Sequence, residues 1–407
     1  MKYINYVNLI YKPSKTDLIC FFRIEPTKGI TIKEAAGAVA AESSIGTWTE
    51  ITTTKKYVEK LAAKVFEIKG NDISIAYPIE LFEPNNMPNI LSSVAGNVFG
   101  MKDLENLRLN DIHIPEKLLR SFKGPKFGIL GIRKLLEIPK RPLIGTIVKP
   151  KIGLKIEDHA KVAYDAWIGG CDIVKDDENL SSQTFNNFEK RLEKTVKAKE
   201  KAEKETDEKK VYMINITAET NEMLRRAKLV EDYGNEYVMV DIITLGWAAL
   251  QTLRNQDLNL VLHAHRAGHA VFTKNPNHGI SMKTIARLTR IVGIDQLHVG
   301  TFLGKMFETK EEVLENCKAL KEKMWKFKQV MPVASGGLHP GYIPELVKIF
   351  GNDFIAQFGG GIHGHPLGTK AGAKAVRQAL DAVMKGIKLK QYAQTHKELK
   401  LALDHWK

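Results

Sequence analysis

From about residue 126 the chain alternates short apolar runs with longer amphipathic stretches, and most of the runs are hydrophobic at their centre and close on polar residues or glycine. The runs are 143–151 (LIGTIVKPK), 171–177 (CDIVKDD), 211–217 (VYMINIT), 236–243 (EYVMVDII), 259–266 (NLVLHAHR), 295–301 (DQLHVGT), 331–337 (MPVASGG) and 353–361 (DFIAQFGGG). A short continuous apolar run marks a strand buried on both faces, and eight of them separated by helical segments predict an α/β fold, a parallel (β/α)8 TIM barrel. The polar endings favour this reading, because a barrel carries its active site at the C-terminal ends of its strands. A doubly wound open sheet is the main competitor, but it would gather its ligand groups at one switch point rather than around a ring.

Residues 1–124 follow a different rhythm. LICFFRIEP (18–26) and ISIAYPIELF (73–82) read as strands and TIKEAAGAVAAESS (31–44) as a helix, which predicts a smaller α+β N-terminal domain. Gly, Pro and Lys cluster in KGPKFG (123–128), so the catalytic barrel is expected over 125–385, with a short amphipathic helical appendix over 386–407.

Composition narrows the function classes. The 407 residues are 43% hydrophobic and 27% charged, as in a folded globular protein. A formal charge of +14 invites a nucleic-acid reading, yet much of the lysine lies in residues 190–210 with acidic residues interspersed at helical spacing, the pattern of a solvated helix face. With no zinc-finger spacing or RNA-binding signature, no nucleic-acid partner is expected. Cys20, Cys171 and Cys317 are scattered and odd in number, which argues against a disulfide framework. No window supplies the roughly 18 consecutive apolar residues of a membrane helix and no signal peptide opens the chain, so a cytoplasmic protein without a membrane partner is expected.

The densest chemistry lies in GGCDIVKDDENL (169–180), where a strand delivers Lys175, Asp176, Asp177 and Glu178 to its end. Side chains alternate along a strand, so Lys175 and Asp177 share one side and Glu178 can join them as the chain curls. Two carboxylates there outline a site for a hard cation such as Mg2+; the plainer reading is a solvated acidic loop. Lys149 and Lys151 project from the first strand end, either as a proton-transfer pair or as surface lysines flanking Pro150. In HAHRAGH, His265 offers an imidazole and Arg266 a fork suited to phosphate, whereas His263 and His269 fit as satisfied buried histidines. His298 ends a further strand. Ser335, Gly336 and Gly337, and Gly359, Gly360 and Gly361, leave backbone N–H groups open to an anion at the two places where barrels often hold phosphate, although glycine also marks ordinary turns. Two phosphate sites facing each other across a metal imply a small bisphosphate. Lys305, on a glycine-flanked loop, is either a mobile lid lysine or an ordinary exposed one.

These motifs, with EAAGAVAAESSIGTWTE, GNVFGMKDLENLRL, HAHRAGHAVFTKNPNHGIS and QFGGGIHGHPLG, resemble the large subunit of ribulose-1,5-bisphosphate carboxylase/oxygenase (RuBisCO) over nearly the whole chain. GIRKLLE and AQTHKELKLAL look most like the archaeal, form III, branch. The resemblance implies that an activating CO2 forms a carbamate on Lys175, which joins Asp177 and Glu178 as a ligand of Mg2+ and takes the C3 proton of ribulose-1,5-bisphosphate to give an enediolate. It assigns Lys149 to proton transfer, with Lys151 as its supporting cation, and His265 to proton handling. It places Arg266 and His298 at one phosphate, and Thr47, Trp48, Lys305, Gly337, Gly359 and Gly360 at the other, beside Gly336. Ser335 would contact a substrate hydroxyl, and Lys305 would also stabilise the carboxylated intermediate. Glu42, Thr47, Trp48 and Asn97 would reach the barrel mouth of a neighbouring copy, which implies a homodimer or an assembly of dimers.

The implied activity is carboxylation to 3-phosphoglycerate with O2 as competing substrate, in the form III branch commonly within nucleotide salvage. The alternative is a RuBisCO-like enolase or isomerase acting on a related sugar phosphate; the presence of Glu42, Thr47, Trp48, Asn97, Arg266, His298 and Lys305 favours the carboxylase. A basic scaffold or nucleic-acid binder would explain the charge but not the strand ends. Two segments depart from the family pattern. Met306-Phe307-Glu308 stands where Leu-Glu-Gly is usual, in a stretch from Lys305 to Ser335 that is short for the family, and Gly361-Ile362-His363-Gly364 replaces Gly-Thr-Leu-Gly.

Overall fold

The computed structural model describes residues 2–49, 51–304 and 306–406. The chain divides into two compact units, one of residues 1–124 with 268–292 and 324–327, the other of 125–267, 293–323 and 328–407.

The first unit is built on a sheet. Strand β1 (Leu18–Pro26) pairs antiparallel with both β3 (Asp72–Tyr77) and β4 (Leu104–His113), and β2 (Lys64–Lys69) lies beyond β3. Along β1 the side chains alternate, with Leu18, Cys20, Phe22 and Ile24 buried. Helix Ile32–Glu42 is started by a reciprocal capping box between Thr31 and Glu34, and it buries an unbroken alanine-rich stretch, Ala35 to Ala41. The strand expected over 73–82 ends at Tyr77, because Pro78 has no N–H to continue a ladder and the chain turns through a short 3-10 helix, Ile79–Leu81. Strands β2 and β4 were not among the expected elements. The second carries Glu105, Arg108 and Asp111 among its apolar residues and a register shift against β1, both of which blur its alternation.

The second unit is a closed parallel barrel. Its strands are β5 (Leu143–Ile147), β6 (Ile173–Lys175), β7 (Val211–Asn215), β8 (Tyr237–Asp241) and β9 (Val261–His265). After β9 the chain contributes β10 (Gly279–Ile280), which pairs with β4 in the first unit, and then returns for β11 (Gln296–His298), β12 (Met331–Ser335) and β13 (Ile355–Phe358). The ring closes where Ile355 of β13 registers with Leu143 of β5. All eight predicted runs therefore form barrel strands, but the ladders are shorter than the runs; β6 spans three residues and ends on Lys175, so Asp176, Asp177 and Glu178 lie in the following loop.

Inward-pointing Leu143, Ile173, Met213, Met239, Val261 and Val333 fill the barrel and pack with Ile129, Ile132 and Leu136 of helix Gly128–Leu136. That helix has no cap from its own first residues. Instead the buried Asp295 carboxylate accepts from the backbone N–H groups of Phe127 and Gly128 at 2.6 and 3.0 Å and from Leu262 N–H at 3.1 Å, while pairing with Arg254 at 2.6 Å. One carboxylate thus ties a helix start to two strands and satisfies orphan donors.

The lysine-rich run forms helix Phe188–Thr206, with Lys197 paired to Glu193 and Lys201 to Glu205 one turn away. Near the end of the chain, helix Lys397–His405 buries Leu399 and Ala402, and Glu398 takes Lys374 and Gln378 of helix Gly368–Met384. Cys20, Cys171 and Cys317 are all free and buried, and burial pushes each thiol pKa up. Among the described residues no helix is long and apolar enough to cross a membrane.

Candidate active site

At the end of β6 the strand's alternation sorts three consecutive charged residues. Asp176 turns away into a fully buried cluster: it pairs with Arg191 at 3.1 Å, accepts from Tyr212 Oη at 2.8 Å and Asn215 N–H at 3.1 Å, and lies 3.1 Å from His159 Nε2. Burial pushes this carboxyl up, but Arg191 and His159 outweigh it and hold it well below the usual range. Asp176 anchors the strand to helix Phe188–Thr206.

Lys175 and Asp177 take the other side. Lys175 is fully buried; its Nζ donates to the Asp176 carbonyl at 2.7 Å and lies 4.0 Å from Glu178 Oε2. Burial lowers the ammonium pKa, against the opposing pull of Glu178, Asp177 and Asp241. Lys149 Nζ donates to Asp177 Oδ2 at 2.6 Å, and Lys151 Nζ lies 3.7 Å from Glu178 Oε1. Burial raises the Glu178 carboxyl, but His265, Lys175 and Lys151 together outweigh it and bring it down to about 2.

Histidines close the far wall. His265 Nε2 is 3.8 Å from Glu178 Oε2, and its Nδ1 is 2.8 Å from Asp241 Oδ1, which also accepts from Ala267 N–H at 3.2 Å. His298 is held at both nitrogens, Nε2 by His263 Nε2 at 2.9 Å and Nδ1 by Ser335 Oγ at 2.8 Å, and His263 Nδ1 meets Gln296 Oε1 at 2.9 Å. Burial drives His263 down to about 3 and His298 well below its ordinary value, so both rings are neutral. Arg266, buried at 5% exposure, pairs with Glu308 at 2.5 Å. Met306 lies against Gly336, where a Cβ would stand 2.3 Å from its Cγ. Gly359 lies beside the Lys149 side chain, and Gly360 faces open space.

The structure therefore brings Lys149, Lys151, Lys175, Asp177, Glu178 and His265 together, with Arg266, His298, Ser335, Gly336, Gly337, Gly359 and Gly360 on the remaining strand ends and loops of the same barrel. Glu42, Thr47, Trp48 and Asn97 lie in the first unit: Glu42 ends helix Ile32–Glu42 and accepts from Tyr3 Oη at 3.0 Å, Trp48 is 82% exposed, and Asn97 opens a short 3-10 helix. Lys305 lies outside the described residues. Sequence reasoning passed over Asp241 and Glu308. Asp241 precedes two isoleucines and reads as strand interior, and Glu308 shows itself only as a carboxylate where a glycine is usual. In the departing segment Gly361 to Gly364, His363 Nε2 lies 2.9 Å from both Thr146 Oγ1 and the Ile147 carbonyl, pinning a short helix to the end of β5.

Two family models, described as the ribulose bisphosphate carboxylase large chain N-terminal and catalytic domains, match residues 5–118 and 128–406. The chain belongs to the RuBisCO large-chain family. Its relatives include the ribulose bisphosphate carboxylases of Methanosarcina mazei, 52% identical with 99% of each chain covered, and of Methanocaldococcus jannaschii, 49% identical over 99% of this chain and all of the other. Among solved structures, octameric RuBisCO of Pyrococcus horikoshii in complex with sulfate is 47% identical with a TM-score of 0.96, covering all of this chain and 97% of that one. Dimeric RuBisCO of Hyperthermus butylicus is also 47% identical, with a TM-score of 0.93, covering 100% and 99%. The archaeal RuBisCO resemblance read from the motifs holds over the full length.

Proposed function

We propose that the chain is a Mg2+-dependent carboxylase that converts ribulose-1,5-bisphosphate, CO2 and water into two molecules of 3-phosphoglycerate, with O2 as a competing substrate. The observation that carries this reading is the convergence of Lys175, Asp177, Glu178 and Lys149 at one side of the barrel mouth. The printed names of the full-length relatives support it.

The donor set fits a hard cation. Asp177 and Glu178 supply oxygens, and among the described residues no third His, Cys, Asp or Glu completes a metal-holding group. Lys175, within 4.0 Å of Glu178, supplies the third oxygen if its amine carries CO2 as a carbamate. Burial in a dry pocket favours the uncharged amine that such a reaction requires. Bound Mg2+ would supply Lewis-acid polarisation of substrate oxygens.

The chain's own groups then divide the work. Lys149, fixed by Asp177, holds a proton at Nζ for the departing three-carbon product. The Asp241 carboxylate holds Nδ1 of His265 at 2.8 Å and so turns Nε2 toward Glu178 and the substrate side. Arg266 and His298 bind one phosphate, and the backbone around Gly336, Gly337, Gly359 and Gly360 binds the other. Lys151 adds positive charge near Glu178. Lys305, outside the described residues, stabilises the carboxylated intermediate, and Ser335 contacts a hydroxyl. Glu42, Thr47, Trp48 and Asn97 complete the site of a second copy in a homodimer or an assembly of dimers; the named dimeric and octameric relatives support that arrangement. Substrate supply from nucleoside salvage, in the cytoplasm, belongs to the same proposal.

Incubation of purified protein with labelled bicarbonate, Mg2+ and ribulose-1,5-bisphosphate tests it. Label in 3-phosphoglycerate is the expected result. Proton exchange at C3 without fixed label would overturn the carboxylase reading in favour of an enolase or isomerase.

A further inference from the structure

The loop after β11 carries a carboxylate into the position of a ligand. Glu308 is 6% exposed and Arg266 5%, and Oε1 of the one meets Nη2 of the other at 2.5 Å. Gly300, at φ +85°, leaves the space in which they meet: a Cβ there would stand 2.5 Å from Arg266 Nη2 and 2.9 Å from Glu308 Oε1. The Arg266 Nη1 is buried with no hydrogen-bond partner among the described residues, so part of the fork stays unsatisfied while Glu308 holds the other part. A guanidinium fork takes carboxylate and phosphate by the same planar geometry, and a phosphate has oxygens enough to engage both nitrogens. The loop that brings Glu308 also packs Gly304 and Met306 against Gly336, on the other proposed phosphate side.

We infer that Glu308 is an internal competitor of the substrate: its carboxylate occupies Arg266 in the free protein, and the bisphosphate must displace it, so Glu308 sets the affinity for the phosphate. This rests on the reading of Arg266 as a phosphate ligand. When a binding-competent state is only fractionally populated, the apparent dissociation constant rises by the inverse of that fraction. A buried arginine left alone is costly, so the pair also stabilises the free protein.

The test is calorimetric titration of ribulose-1,5-bisphosphate into metal-free, bicarbonate-free protein, where no chemistry follows binding, for the wild type, Glu308→Gln, Arg266→Gln and the double variant. Thermal unfolding with and without the ligand runs alongside. Glu308→Gln is expected to bind about tenfold more tightly, to unfold at lower temperature alone, and to gain more from the ligand than the wild type does. Arg266→Gln is expected to bind more weakly and to erase the gain in the double variant. Unchanged or weaker binding by Glu308→Gln, with Arg266→Gln weakened, overturns the inference and leaves the phosphate reading standing; weaker binding would make Glu308 a positioning residue for Arg266. Unchanged binding by Arg266→Gln overturns the phosphate reading and the inference with it. Should Glu308→Gln fail to fold, Glu308→Gly, which restores the residue usual at this position, carries the same expectations.

Discussion

Asp176 and Asp177 differ by one position and by everything around them. The first is surrounded by Arg191, Tyr212 and Asn215, the second receives Lys149, and strand alternation alone separates them. Lys175→Ala removes the group that would complete the ligand set, so fixation of labelled bicarbonate should fall to background while the fold, followed by circular dichroism, persists. Retained fixation would refute the assignment. Asp241→Asn should act differently. An amide no longer selects the Nδ1–H tautomer of His265, and kcat is expected to drop by about 10²-fold with KM little changed; steady-state kinetics at saturating bicarbonate decide it, and an equal rise in KM would point to substrate binding instead.

At the level of elements, buried polar pairs hold the barrel together at both ends. Asp295 organises the start of helix Gly128–Leu136, β9 and Arg254, and its replacement by alanine leaves a buried arginine and three donors without their acceptor. A loss of about 3 kcal/mol is expected in urea unfolding, the usual cost of breaking a buried pair. Near the other end, the His263–His298 contact links β9 to β11 with neutral rings. An unfolded histidine titrates near pH 6.5, roughly, whereas folded His263 resists protonation down to about 3. Between those values the unfolded chain binds more protons, so stability is full above about pH 6.5 and declines as pH falls through this window. The urea midpoint should therefore be lower at pH 5 than at pH 7.5, roughly speaking, and His263→Gln should show a shallower decline.

For the whole molecule, the barrel was legible because its strands are buried on both faces and read as apolar runs, most of them closed by polar residues or glycine. The N-terminal sheet was only half legible: β1 alternates cleanly, but β4 mixes charge into its ladder, and β10, two residues long and distant in sequence, offers no local signal at all. Among the site groups, Lys175, Asp177 and Glu178 announced themselves by crowding charge at one strand end. Asp241 and Glu308 did not, since each acts through a partner far along the chain. The proposed dimer makes its own prediction. If Trp48 serves a neighbouring copy, Trp48→Ala and Lys175→Ala proteins should each be inactive or nearly so, and co-refolded mixtures should recover about a quarter of wild-type activity from mixed dimers with one intact site. No recovery, with mixed dimers shown to form, would place Trp48 outside the site.

The three buried thiols give the chain a labelling clock of its own. Cys20 sits in the first unit and Cys171 and Cys317 in the barrel unit. None is poised to react while its surroundings stay closed, because alkylation needs both access and the thiolate. Pulses of iodoacetamide during mild heating, read by mass spectrometry, should therefore report which half of the protein opens first, without a single engineered probe.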